Sequence, residues 1–413
     1  MATNSTPSEN WMDILVSKTN DLVDHYFWPS FWDVNESVIA DLKAMFGKFK
    51  DAKAVPDIEV YVNNGKRFDY PHKVKKADYD LSLSLDEHIR KVIGEENYCV
   101  TINGLTKWDP HFTVHMQEQI IQPIIESKKG VFNGLSFYLF MGNYGYTSFG
   151  AHKDPDHSLI FQLGPANKEV WIWPNELWKK LNNGSLENSF DFDRLLPKAK
   201  YYNLAPGDFI FIPKDCFHLF KTPDLSLMLG GIITNASEGS LMMDGLELYL
   251  KGKKATSRQY FDPVNLGEEV QNIFTKTMGE DHDYTNVVIM ENLIRHKLML
   301  MSNGYLVNLP EEKDELENIN PSLDYIVPKG FELQYMDFGE VIQVYVRGKT
   351  IELPSSESLP KCLERINSNQ SFNYIDFKDC LQPEWPDDTV GYFFKQIHKY
   401  NGCYELKEVL ARV

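Results

Sequence analysis

The stretch FGAHKDPDHSLIF, residues 149–161, places four possible metal ligands, His152, Asp154, Asp156 and His157, within six residues and then turns apolar. Side chains two positions apart on a strand point to the same face, so a strand here would aim His152 and Asp154 at one ion. Pro155 interrupts strand geometry after Asp154, which predicts a turn or a supporting hydrogen bond for Asp156 and His157. The stretch therefore predicts half of a metal site beside an apolar strand.

The segment LAPGDFIFIPKDCFHLF, residues 204–220, supplies the third ligand. A Pro-Gly-Asp turn precedes a strand that Pro213 ends, and His218 begins the following strand, 66 residues after His152. Two imidazoles and one carboxylate on one face form the facial triad that suits Fe(II). This triad leaves coordination positions open for a bidentate co-substrate and for O₂. The competing interpretation is a polar turn plus a buried core histidine.

Lys168 leads into the apolar strand EVWIWP, residues 169–174. Alternation predicts that Val170 and Ile172 share one face of this strand and that Trp171 and Trp173 share the other. A lysine that heads such a strand would be buried, and a buried ammonium needs a partner. The carboxylate of a co-substrate would supply that partner. The alternative is an exposed lysine at the edge of a sheet.

Short aromatic and β-branched runs fill residues 131–235 and are separated by glycine and proline. Seven such strands at this spacing predict an antiparallel sandwich or barrel. Outside this region, apolar residues at helical spacing predict helices, and alternating residues predict further strands. The sequence predicts helices over most of 1–50, at 85–93, at 108–127 and over 246–310, and strands at 56–64 and 97–105.

The end of the chain reads as a small α+β unit of paired strands, two helices and a closing strand. An acidic segment with two prolines at 310–326 predicts a linker before it. We therefore expect three domains. They are the metal-site domain with an N-terminal α/β extension at 1–245, a helical region at 246–325 that is a candidate for dimerisation, and a final domain at 326–413.

The 413 residues carry a net charge of −17, which argues against a nucleic-acid backbone as the main partner. An acidic surface favours basic protein segments instead, although solubility alone is the simpler reading. The five cysteines are scattered without a CxxC pair, which indicates a reducing compartment. The N-terminus does not read as a signal peptide and no apolar run predicts a membrane span. These features predict a cytoplasmic protein.

Three motifs together resemble the JmjC and cupin-like Fe(II)/2-oxoglutarate-dependent oxygenases: HKD at 152–154, Lys168 before its apolar strand, and PGDFIFIPKDCFH at 206–218. The likeness covers roughly residues 135–235. The first cupin motif is not matched, because HxD replaces its HxH-type ligands, and this departure favours the JmjC branch. The resemblance implies an α+β fold with a double-stranded β-helix, or jelly-roll, core.

Carried onto this chain, the resemblance implies that His152, Asp154 and His218 bind Fe(II) and that Lys168 pairs with the distal carboxylate of 2-oxoglutarate. The family often adds a polar contact from the segment before HxD. We expect Asn143 and Ser148 to provide it. Tyr138, Tyr146 and Thr147 are the other candidates that the sequence offers.

A helical region followed by a winged-helix-like block is similar to the layout of the ribosomal oxygenases. This implies hydroxylation of a protein or peptide side chain by a dioxygenase that uses Fe(II), 2-oxoglutarate and O₂. A basic substrate would match the acidic net charge of this chain. Demethylation is the same chemistry beside a nitrogen atom and stays open. The alternatives are a hydroxylase of small molecules and a catalytically silent peptide-binding adaptor.

Overall fold

The computed structural model describes residues 11–33, 35–94, 97–127, 132–235, 242–243, 245–247 and 282–410. The helices predicted for the stretch 248–281 and for the first ten residues lie outside these ranges. Within the described residues, helices and antiparallel sheets are mixed, as the α+β prediction requires. None of the described helices has the length and apolar character needed to cross a bilayer.

Six short helices precede the first long strand, together with a π-helical turn at Gln117–Ile121 and a 3₁₀ turn at Leu105–Lys107. A capping box between Ser84 and Glu87 starts the fourth helix, and the Asp109 side chain accepts a hydrogen bond from Phe112 N, at 3.0 Å, at the start of the fifth. The helices are Trp11–Lys18 (α1), Asn35–Lys48 (α2), Tyr70–Lys76 (α3), Leu85–Ile93 (α4), Pro110–Met116 (α5) and Gln122–Glu126 (α6).

Twelve strands of the N-terminal part form two antiparallel sheets. They are Tyr26–Trp28 (β1), Asp57–Val62 (β2), Gly65–Lys66 (β3), Tyr98–Asn103 (β4), Phe132–Gly142 (β5), Gly145–Tyr146 (β6), His157–Pro165 (β7), Lys168–Pro174 (β8), Lys200–Leu204 (β9), Phe209–Ile212 (β10), Cys216–Thr222 (β11) and Ser226–Asn235 (β12). The eight-stranded sheet has the order β1-β10-β7-β12-β5-β4-β2-β3, and the four-stranded sheet has the order β6-β11-β8-β9. All seven strands predicted between 131 and 235 are present.

The two faces of the four-stranded sheet bury different partners. Val170 and Ile172 pack in a cluster with Ile160 and Met228 of the eight-stranded sheet, so this face lies between the sheets. Trp171 and Trp173 pack on the opposite side, against the helices Asn175–Leu181 (α7) and Phe192–Leu195 (α8). The predicted alternation is therefore confirmed, and Lys168 falls on the face between the sheets.

Gly230 makes room for an aromatic ring in the same space. It lies opposite Tyr138 in the β12–β5 pairing, and a Cβ atom at Gly230 would stand 2.0 Å from Tyr138 Cζ. We expect Gly230→Ala to push the ring aside and to lower the free energy of unfolding by about 1–3 kcal/mol. Gly231→Ala is the matched control, because a Cβ there would meet its neighbours at an ordinary 3.4 Å. Equal urea midpoints for the two variants would contradict this account.

The described C-terminal part begins with a 21-residue helix, His282–Ser302 (α9). Five strands follow: Tyr325–Ile326 (β13), Gln334–Asp337 (β14), Val341–Val346 (β15), Lys349–Pro354 (β16) and Tyr404–Glu405 (β17). Four helices complete it: Leu359–Ile366 (α10), Tyr374–Leu381 (α11), Asp387–Lys399 (α12) and Leu406–Leu410 (α13). Strands β13, β15 and β16 and helices α10, α11 and α12 share a separate apolar core, to which α9 contributes no described residue.

Two sequence predictions for this part were wrong in detail. Helix α11 was not predicted, although Asn373 caps it by accepting a hydrogen bond from Asp376 N at 2.9 Å. The closing strand spans only Tyr404–Glu405 and continues into α13. The strand is short because its partner β13 also has only two residues, so no longer ladder is available.

Candidate metal centre and co-substrate pocket

His152, Asp154 and His218 come together at one end of the space between the sheets. Each offers one ligand atom, and these atoms lie within 4.8 Å of one another. His152 Nε2 is 3.9 Å from Asp154 Oδ1, and His218 Nε2 is 3.7 Å from Asp154 Oδ2. Both imidazoles therefore turn the same nitrogen towards the carboxylate, which is the arrangement that a shared ion requires.

Backbone hydrogen bonds hold the two histidines side by side. His152 N donates to the His218 carbonyl oxygen at 3.0 Å, and His218 N donates to the His152 carbonyl oxygen at 2.7 Å. The Nδ1 of His152 donates to the carbonyl oxygen of Gly150 at 2.9 Å. A carbonyl oxygen can only accept, so Nδ1 carries the proton and Nε2 keeps its lone pair for a metal.

The HxD pair does not lie on a regular strand, contrary to the prediction. His152 belongs to an isolated bridge with His218, and β7 begins only at His157. Asp154 is instead oriented by Ser158, whose hydroxyl donates to Asp154 Oδ2 at 2.9 Å. Ser158 was not among the residues that the sequence singled out. The bend at residues 155–156 brings Ser158 back towards the carboxylate.

The three side chains differ in exposure. The His218 side chain is 3% exposed, the His152 side chain 15% and the Asp154 side chain 35%, so the cluster opens to solvent on the side of the carboxylate. Burial, reinforced by the neighbouring His152, lowers the pKa of His218 to about 4. The His218 imidazole is therefore neutral at physiological pH, as metal binding requires.

Asp156 and His157 lie outside this cluster. His157 starts β7 and is buried, with its ring centroid 5.6 Å from that of Phe211. Its Nδ1 accepts a hydrogen bond from Lys214 N at 3.4 Å. Asp156 occupies the bend before β7 and is half-buried. Of the four possible metal ligands in 152–157, the structure brings only His152 and Asp154 together with His218.

Lys168 is completely buried, as the sequence predicts. Its Nζ donates to Tyr144 Oη at 2.9 Å and to Thr222 Oγ1 at 2.8 Å. Burial lowers the pKa of Lys168 to about 7, and no carboxylate of the described residues opposes that shift. The ammonium thus has two neutral hydroxyl partners and lacks an anionic one within the described part of the chain.

The hydrogen-bond partners of Lys168 are Tyr144 and Thr222, not Asn143 or Ser148. Asn143 is used elsewhere: its Oδ1 accepts from Tyr98 N and its Nδ2 donates to Asn97 Oδ1, both at 3.1 Å. Ser148 lies half-buried in a turn. Alternation along β11 from His218 would have indicated Thr222, because residues four positions apart share a face.

Tyr144 had no such signal in the sequence. The chain leaves β5 at Gly142, which has a φ of +150°, and a Cβ atom there would stand 2.0 Å from the Tyr98 carbonyl oxygen. This close approach requires glycine and redirects the chain, so strand alternation does not extend to Tyr144.

The donor set fits a divalent transition metal. Two imidazole nitrogens and one carboxylate oxygen on one side leave the opposite side free, which is the ligand set of non-haem Fe(II) sites. A structural zinc site would need a fourth protein ligand. The described residues contribute three in this cluster.

No protein family model and no curated protein matches the chain by sequence. Solved structures do match. The chain is similar to the Escherichia coli ribosomal oxygenase YcfD at 14% identity and a TM-score of 0.53, over 96% of this chain and 98% of that one. The structure of YcfD in complex with cobalt and 2-oxoglutarate matches at 15% identity with a TM-score of 0.52 and the same coverage. At this identity the likeness establishes a shared fold: the chain has the overall layout of the ribosomal oxygenase YcfD.

Proposed function

We propose that this protein is an Fe(II)- and 2-oxoglutarate-dependent oxygenase that hydroxylates a side chain of a protein or peptide. One observation carries the proposal: His218 of the three-ligand cluster and the buried Lys168 lie on the same face of the four-stranded sheet. His218 pairs with Ile172, and Lys168 lies four residues before Ile172 on the same face of β8. We infer that the two sheets form a double-stranded β-helix around this pocket.

Each residue has a defined task in this proposal. His152, Asp154 and His218 would hold Fe(II), and Lys168 would pair with the far carboxylate of 2-oxoglutarate. Tyr144 and Thr222 would fix the position of the ammonium through the hydrogen bonds that they already accept. When bound, Fe(II), 2-oxoglutarate and O₂ supply the oxidative decarboxylation that transfers one oxygen atom into a substrate C–H bond.

A polypeptide substrate is supported by three features. The cluster opens to solvent beside Asp154, where a side chain from outside can enter. The net charge of −17 favours a basic partner. The similar structures belong to a protein described as a ribosomal oxygenase.

We retain the division into domains at 1–245, 246–325 and 326–413, with α9 in the dimerisation region and a winged-helix-like last domain. All five cysteines are free, which suits a reducing, cytoplasmic setting.

The direct test is succinate formation from 2-oxoglutarate with Fe(II) and O₂, coupled to mass spectrometry of basic peptides. We expect wild-type protein to form succinate and to add the mass of one oxygen atom to a peptide. The His218→Ala variant should do neither. Loss of a methyl group from the peptide would indicate demethylation instead. Wild-type protein that forms no succinate with any peptide pool would overturn the proposal.

The affinity for 2-oxoglutarate should depend on pH through Lys168. Pairing with a carboxylate requires the ammonium form, and the ligand-free protein holds the pKa of Lys168 at about 7. Above this pH the protein must take up a proton when 2-oxoglutarate binds, so the affinity should fall by about tenfold per pH unit. Below this pH Lys168 is already protonated, so it should cause no further change in the affinity for 2-oxoglutarate. Calorimetry in buffers of different ionisation enthalpy would detect the proton uptake, and an affinity that is flat up to about pH 9 would contradict the assignment.

A further inference from the structure

A cavity of about 260 Å³ lies between the N-terminal helices and the C-terminal part of the chain. Thr106 and Trp108 line one side, and Arg347 and Tyr404 line the other. It shares no lining residue with the three-ligand cluster or with Lys168. We refer to it as the junction cleft, and the proposed oxygenase chemistry leaves it without a role.

Arg347 is a buried cation without an anionic partner in the described part of the chain. It is 2% exposed, and its Nε donates to Asn303 Oδ1 at 3.0 Å. Its Nη1 donates to Tyr404 Oη at 3.4 Å, and its Cζ lies 4.0 Å from the centroid of the Phe331 ring. A guanidinium has five N–H donors, so these two hydrogen bonds leave most of them unused. A buried charge in this state is costly unless an anion joins it.

Two more lining residues carry buried polar atoms without a hydrogen-bond partner. They are the hydroxyl oxygen of Thr106 and the indole Nε1 of Trp108. Thr106 is 1% exposed and Trp108 is 9% exposed. The three residues with spare donors all line this one cleft, which suits a ligand that accepts hydrogen bonds. Both the hydroxyl and the indole N–H can donate to an oxygen atom.

The charges of the lining indicate which anion fits. Besides Arg347, three basic and three acidic side chains line the cleft: Lys48, Lys107, Lys313, Asp51, Glu311 and Glu312. The charges of these six side chains cancel, so the lining has one net positive charge, that of Arg347. This net charge suits a single carboxylate and is too small for a polyphosphate. Trp108, Pro110 and Pro310 add apolar surface for the rest of such a molecule.

We propose that the junction cleft binds a small organic molecule through one carboxylate, which Arg347 pairs with and which Thr106 and Trp108 hydrogen-bond. The volume equals that of roughly nine water molecules, so the ligand is compact. Such a ligand would contact the N-terminal and the C-terminal parts of the chain together. It would therefore stabilise their contact, because it binds only where both are in place.

The test uses the full-length protein without added metal and benzoate as the probe, with benzamide and inorganic phosphate as comparisons at constant ionic strength. We expect saturable binding of one benzoate per chain by calorimetry and no binding of benzamide. The Arg347→Gln variant should weaken benzoate binding at least about tenfold, because a charge-assisted pair is lost. Lys168→Met should bind benzoate as wild type does, which separates this site from the oxygenase pocket.

Thr106→Val is the second variant, in case Arg347→Gln does not fold. The Thr106 hydroxyl has no partner in the ligand-free protein, so its removal should leave the denaturation midpoint unchanged while it weakens benzoate binding several-fold. Equal benzoate affinity in wild type and Thr106→Val would mean that the Thr106 hydroxyl does not contact the carboxylate, and it would overturn the proposed site. Phosphate binding without benzoate binding, or no saturable binding of either, would also overturn the proposal.

Discussion

Asp154→Ala should reduce the affinity for Fe(II) by more than about a hundredfold and should abolish succinate formation. Loss of a residue that only supports a ligand already costs about 10- to 100-fold in affinity, and Asp154 supplies the only carboxylate of the three-ligand cluster. The fold should survive, because the Asp154 side chain is 35% exposed. Anaerobic calorimetry with Fe(II) measures the affinity, and circular dichroism checks the fold.

Asp156→Ala is the matched control, since the same loop offers a second carboxylate two residues away. Asp156 lies outside the cluster, so this variant should keep Fe(II) affinity within about threefold of wild type. A comparable loss of Fe(II) binding in both variants would mean that the overall negative charge of the loop, not the geometry of Asp154, attracts the ion. Unchanged Fe(II) binding in Asp154→Ala would remove the metal site from the proposal.

The strands of the core were predictable because alternation is a local signal. Residues 168–174 already assign Val170 and Ile172 to one face of β8 and the two tryptophans to the other, and the structure agrees. The side of the sheet on which Lys168 is buried follows from the same pattern. The three candidate ligands could be named in advance because they lie in two short motifs, although the strand that alternation predicts around HxD is absent.

Features that depend on distant parts of the chain were not predictable in this way. Residues 26–28 lie in a segment with helical spacing, yet they form β1 because Tyr26 and Phe27 pair with Phe211 and Ile210 of β10. Hydrogen bonds to a distant strand override local propensity there. The bridge between His152 and His218 likewise replaces the expected strand around HxD.

Lys168→Met should weaken 2-oxoglutarate binding by more than about a hundredfold, because breaking a buried ion pair costs several kcal/mol. Fe(II) affinity should stay unchanged, since Lys168 is not a ligand in the cluster. Lys221→Met is the matched control. Lys221 lies next to Thr222 on β11 but pairs with Glu169 at 2.8 Å, on the other face of the sheet.

The same substitution should stabilise the ligand-free protein, which an ordinary core substitution would not do. The methionine side chain is similar in length to that of lysine but has no charge, so the substitution removes a buried charge. The hydroxyls of Tyr144 and Thr222 can then hydrogen-bond each other. The pKa of Lys168 is lowered from 10.5 in the unfolded chain to about 7, so its charge destabilises the fold fully below about pH 7 and progressively less as the pH rises to 10.5. The gain from methionine should therefore be larger at about pH 6 than at about pH 9.

Urea denaturation of wild type and Lys168→Met at these two pH values separates the two possible roles of the lysine. A structural lysine would make the variant less stable at both values, because its hydrogen bonds to Tyr144 and Thr222 would be lost without compensation. A lysine kept for a bound carboxylate makes the ligand-free variant more stable and makes added 2-oxoglutarate protect only the wild type. The free energy that the empty protein spends on burying this ammonium is then recovered when the carboxylate of 2-oxoglutarate pairs with it.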